Sequence, residues 1–145
     1  MRSLRLVVIV LGSTAILVGS TVAASAAIKI QRIVFDPAGS DTGSNTHLNK
    51  EIIVITNTGN RRVSLRNWTI RDTSGHVYRF ESVGIGGHRE ITVHTGTGSD
   101  TFNHKYWDQD AYVWNNDGDR ATLKRASGSV SDTCSYSGEG GSINC

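Results

Sequence analysis

After an apolar run near the N-terminus, the chain breaks into short stretches of β-branched and aromatic residues divided by clusters of Gly, Asn, Asp, Ser and Thr. Ile28 to Phe35 forms the first such stretch and ends at Asp36-Pro37, where proline removes a backbone donor and sets a turn. The polar segment Ala38 to His47 predicts a mobile loop. Lys50 to Thr56 is nearly continuous in apolar residues, as in a strand covered on one or both faces, and Asn57-Thr58-Gly59-Asn60 turns it toward a return carrying Val63, Leu65, Trp68 and Ile70. Further strands are predicted at His76 to Phe80, at Glu90 to Thr95 with Ile91 and Val93 on one face, around Ala111 to Trp114, and at Ala121 to Leu123 continuing near Val130. Asn115-Asn116-Asp117-Gly118-Asp119 predicts a hairpin turn between the last two groups. Helical periodicity is missing from every window of useful length after residue 27. The pattern therefore predicts an all-β domain, a sandwich of about 8–9 mostly antiparallel strands. Its expected core includes Ile53, Ile55, Leu65, Trp68 and Trp114, with Trp68 filling the space between the sheets.

The N-terminal run changes where that domain starts. Arg2 and Arg5 precede an apolar segment from Leu6 to Val18, and Ala24-Ser25-Ala26 supplies small residues for cleavage, so residues 1–26 are expected to be a secretory signal and 27–145 the domain. Gly12, Ser13 and Thr14 interrupt the segment, which makes a retained membrane span the weaker reading. The expected product is secreted and extracellular, with no membrane span left after the signal is removed.

Charge then narrows the partners. Losing Arg2 and Arg5 takes the basic count from 15 to 13, against 13 acidic residues, so a general attraction to nucleic acid or anionic membranes is not expected. Local charge is less even: Arg61, Arg62, Arg66 and Arg71 lie close together and could form a positive surface for phosphate groups or anionic cell-envelope polymers. Charges that keep strand edges from pairing with other molecules explain the same residues. Cys134 and Cys145, in an exported chain, are expected to pair and fasten the C-terminal tail.

Candidate chemistry is thin. The histidines fall at no zinc-binding spacing, and no motif calls for a cofactor. Asp100, His104, Asp108 and Asp110 are the one segment mixing histidine with several carboxylates, and a small hydrolase acting on phosphoesters or nucleic acid would have to use it. Asn115, Asp117 and Asp119 alternate like the start of a calcium loop, so a weak calcium-binding adhesion module is a second alternative, with Asp117 and Asp119 as ligands.

The ordered motifs Asn49-Lys50-Glu51-Ile52-Ile53-Val54-Ile55-Thr56-Asn57-Thr58-Gly59, Val63-Ser64-Leu65-Arg66-Asn67-Trp68-Thr69-Ile70-Arg71-Asp72, Gly75-His76-Val77-Tyr78-Arg79-Phe80 and Trp114-Asn115-Asn116-Asp117-Gly118-Asp119-Arg120-Ala121-Thr122-Leu123 resemble the lamin tail domain. Arg66-Asn67 stands where that family more often has Ser-Gly. The resemblance implies an immunoglobulin-like β-sandwich without catalytic activity of its own, not an enzyme but a binding or structural module. Its expected partner is a protein or a cell-envelope polymer, with nucleic acid a weaker choice.

Overall fold

A computed structural model describes residues 28–145; the expected signal at 1–26 lies outside the described residues. The elements in chain order are β1 (Ile28–Val34), α1 (Asn45–Leu48), β2 (Ile52–Asn57), β3 (Val63–Ser64), β4 (Thr69–Arg71), β5 (Val77–Arg79), β6 (Gly84–Ile85), β7 (Glu90–His94), β8 (His104–Tyr106), β9 (Asp119–Lys124), β10 (Val130–Tyr136) and β11 (Ser142–Asn144). Strands β11-β1-β2-β7-β8 make one sheet, β10-β9-β4-β5 a second, and β3-β6 a small third. Every pair is antiparallel except β7 with β8. The result is the expected β-sandwich, with 11 strands among the described residues rather than 8–9, because the short strands β6, β8 and β11 form where none was expected, although Ala111 to Trp114 forms none.

Alternation along the strands builds the core. Ile53 and Ile55 of β2 and Ile91 and Val93 of β7 face inward from the first sheet, and Ile70, Ala121, Leu123 and Cys134 meet them from the second. In β1 the inward positions run Ile28, Ile30 and then Ile33, since a bulge between Ile30 and Arg32 adds one residue and resets the period of two. At that bulge the Ile30 N–H leaves the ladder and donates to the Asp132 carboxylate of β10 at 2.9 Å. The Cys134–Cys145 disulfide, with Cα atoms 5.7 Å apart, crosses at the same edge from β10 of the second sheet to the chain end just past β11 of the first. The expected pair therefore forms, and it ties sheet to sheet as well as fastening the tail.

Four expectations are corrected. Trp68 does not fill the space between the sheets: it is half-buried at the core margin, with the Arg125 guanidinium 5.8 Å from its ring. Leu65 takes the fully buried position before it, and the chain turns sharply through Asn67, whose φ of 64° is left-handed, into Trp68, whose N–H returns to the Leu65 carbonyl at 2.8 Å. The space goes to Trp114, 1% exposed, and Trp107, 7% exposed, with ring centroids 5.9 Å apart. The Asn57–Asn60 turn closes no hairpin, since β2 pairs with β1 and β7 while β3 pairs with β6. Buried Asn57 steers this crossover, donating to the carbonyls of Arg61 at 2.7 Å and Ile85 at 3.1 Å and accepting the Gly59 N–H at 3.0 Å. Residues Asn115–Gly118 do turn, but no strand precedes them; β9 instead forms its hairpin with β10. The polar segment taken for a mobile loop ends in α1, capped by Ser44 and anchored by buried His47 and Leu48.

Candidate binding surface

The outward positions of the second sheet carry most of its charge. Because Ile70, Tyr78, Ala121 and Leu123 turn inward, their neighbours Arg71, Arg79, Arg120 and Lys124 turn out. Strand register fixes their arrangement: Thr69 stands between Arg79 on β5 and Lys124 on β9, and Arg71 stands between Val77 and Thr122. Arg120 lies two positions along β9 from Thr122, opposite Ser135, whose hydroxyl accepts its Nε–H at 3.1 Å. None of the four cations has a carboxylate within ion-pair distance among the described residues. Two of the nearby acids are engaged elsewhere: Asp132 meets Lys29 at 3.3 Å and the Ile30 N–H, and Asp72 is buried under three donors from Gly75 and His76.

The arginines singled out from sequence are divided among separate surroundings. Arg71 belongs to the sheet face just described. Arg66 shares a shallow groove with Arg79, Phe80 and Glu81. Arg62 lies across Gly84, where a Cβ would stand 2.6 Å from Nε, and reaches over the ring of Phe102 at 5.8 Å. Phe102, 61% exposed, borders an open groove with Gly86, His88, Arg89, Glu90 and Asn103. Arg61 is exposed, with its carbonyl held by Asn57.

The rival sites resolve into structural contacts. Asp100 accepts the Tyr106 N–H at 3.1 Å and meets Lys105 at 3.2 Å, while His104 Nδ1 lies 2.9 Å from His94 Nε2. His94 Nδ1 is 2.7 Å from the Asn49 carbonyl and so donates to it, and His94 Nε2 pairs with His104 Nδ1. Asp108 and Asp110 are exposed, and neither shares a hydrogen bond with His104. Asp119 is buried: its carboxylate accepts from the Thr73 N–H and hydroxyl, the Asn115 amide and the Arg120 N–H, which occupies both oxygens with protein donors. Asp117 is exposed in the adjoining turn. Among the described residues no three His, Cys, Asp or Glu side chains converge as metal ligands.

Glu51 is the group that sequence reading passed over. Fully buried ahead of β2, its carboxylate accepts from the Thr95 hydroxyl and from the N–H groups of Val113 and Trp114, each at 3.0 Å. Burial pushes its carboxyl up to about 7 while these donors pull the other way. One carboxylate thereby pins the segment that delivers Trp114 to the core. A carboxylate set immediately before an apolar strand was the available signal.

A model of the Lamin Tail Domain matches residues 21–138. The chain belongs to the lamin tail domain family. No curated protein matches it. Within this lamin tail domain, the turn where the family more often has glycine carries Asn67 at φ 64°, the non-glycine residue type best suited to that conformation. No helix among the described residues is long and apolar enough to cross a membrane.

Proposed function

We propose that this lamin tail domain is a non-catalytic module that works outside the cell and holds an anionic partner on the outer face of its β10-β9-β4-β5 sheet. The observation that supports this most is the set Arg71, Arg79, Arg120 and Lys124: four outward cations on adjacent strands with no carboxylate within ion-pair distance among the described residues. Solvated cations kept only against edge pairing are expected at sheet edges, yet Arg71, Arg120 and Lys124 sit on the two central strands. The apolar leader with its Ala24-Ser25-Ala26 site supports export, and the disulfide suits an oxidising compartment. The test is retention of the purified protein on an immobilised polyanion. Elution by moderate salt, with affinity falling linearly on a log–log scale, is expected; failure to bind at low salt removes the reading.

A further inference from the structure

The same face has a direction. Arg79 on β5, Arg71 on β4 and Arg120 on β9 occupy successive strands, and each lies one outward position further along than the last, so the three form a diagonal across the sheet. With neighbouring strands and alternate residues at ordinary sheet spacings, each diagonal step is ~8 Å between Cα atoms. That is about one Debye length at physiological salt, so neighbouring charges act together on one extended anionic chain. Lys124 flanks the diagonal on β9.

The residue types on and around this line discriminate among polyanions. Three of the four cations are arginines, whose planar fork pairs with two oxygens of a phosphate. Between them stand hydroxyls, Thr69, Thr122, Thr133 and Ser135, suited to hydroxyl groups on the ligand. The outward positions of β4, β5, β9 and β10 hold no aromatic ring: Tyr78 and Tyr136 pack inward against Phe80 and Phe35, and Trp68 is half-buried before β4 beneath Arg125. Single-stranded nucleic acid is held by stacking its bases on exposed rings, and the face offers none. Glu81, at the margin beside Arg66 and Arg79, is an exposed carboxylate that could repel the ligand.

We propose, resting on the cationic-face reading above, that the partner is a polyol-phosphate polymer, a chain of hydroxylated units joined by phosphodiesters, laid along the Arg79–Arg71–Arg120 diagonal. The probe is poly(glycerol phosphate), compared with polyglutamate and single-stranded DNA of matched charge in 0.15 M salt, a concentration chosen as roughly physiological. Poly(glycerol phosphate) is expected to bind at least ~10-fold tighter than either competitor. Changing all three arginines to alanine is expected to lower the log–log salt slope by about three units. Changing all three to lysine is expected to keep the slope and lose several-fold in affinity, because charge remains and the fork does not. These side chains are exposed, and an unchanged melting temperature in both variants shows that folding is intact. Equal binding of polyglutamate overturns the phosphodiester assignment while leaving the cationic face standing. Tighter binding of DNA overturns the polyol assignment in the same way, and binding of none of the three polymers overturns both.

Discussion

Replacing Glu51 with glutamine tests whether one buried carboxylate holds the tryptophan segment in place. In the native protein its oxygens take the N–H groups of Val113 and Trp114 and the Thr95 hydroxyl. An amide of the same shape keeps one acceptor oxygen and turns an NH₂ toward the remaining donors. Leaving a buried donor unpaired costs about 1–3 kcal/mol, so Glu51→Gln is expected to be less stable than the native protein by that amount at pH 5. Burial raises the folded-state value from 4.5 to about 7, so the unfolded chain loses this proton at lower pH than the folded one. Between those two values the folded state binds more protons, and stability falls as pH rises from 4.5 through 7, then levels off. The shift corresponds to about 3 kcal/mol lost by the native protein and not by Glu51→Gln, which has no carboxyl to ionise. Urea unfolding of both proteins at pH 5 and pH 8 measures the difference directly, and subtracting one from the other cancels the histidines they share. The gap should close, or reverse, by pH 8. Two parallel stability curves, or a native protein that gains on the variant as pH rises, would refute the reasoning.

Packing makes the tryptophans unequal. Trp114→Ala is expected to cost about 3–5 kcal/mol and Trp68→Ala less than half as much, read by denaturant midpoint; similar losses would place Trp68 back in the core. Trp114→Phe should cost less than Trp114→Ala, because the ring that remains leaves a smaller cavity in the core. Reducing the Cys134–Cys145 bridge is expected to lower stability by about 2–3 kcal/mol, and thiol titration of the denatured, unreduced protein should find no free thiol. Asn67→Val places a β-branched residue at a left-handed φ and should destabilise by about 1–2 kcal/mol, whereas Asn67→Gly should stay within about 1 kcal/mol of the native protein.

What could be read from sequence was whatever depends on neighbours along the chain. Ile53, Ile55, Ile91 and Val93 announce their inward face by a period of two, and the structure places them there. The Cys134–Cys145 pair was expected from the export that the apolar leader predicts and from the presence of two cysteines, and the structure shows the bond. Placement that depends on crossing between sheets was not legible. Trp68 and Trp114 look alike as aromatic residues beside turns, and the difference comes from a left-handed residue before one and the Glu51 anchor above the other. The Asn57 and Asn115 turns carry hairpin composition, yet one leads to a crossover and the other follows a segment with no ladder. The cationic face is a further case: Arg71 was visible among its arginine neighbours, but Arg79, Arg120 and Lys124 join it only through the pairing of β4 with β5 and β9. Arg61 and Arg62, closer to Arg71 in sequence than Arg120 is, lie beyond the β4 strand on which that pairing is built.

That last division gives the most direct test of the account. Two charge-reversal variants, Arg71→Glu with Arg120→Glu and Arg61→Glu with Arg62→Glu, change net charge equally and so affect long-range attraction alike. Their affinities for a soluble polyphosphate chain, measured by titration at several salt concentrations, separate the sheet face from the turn. The account predicts that reversing Arg71 and Arg120 abolishes measurable binding while reversing Arg61 and Arg62 lowers it only a few-fold. Equal losses in the two variants, or a larger loss from Arg61 and Arg62, would contradict it.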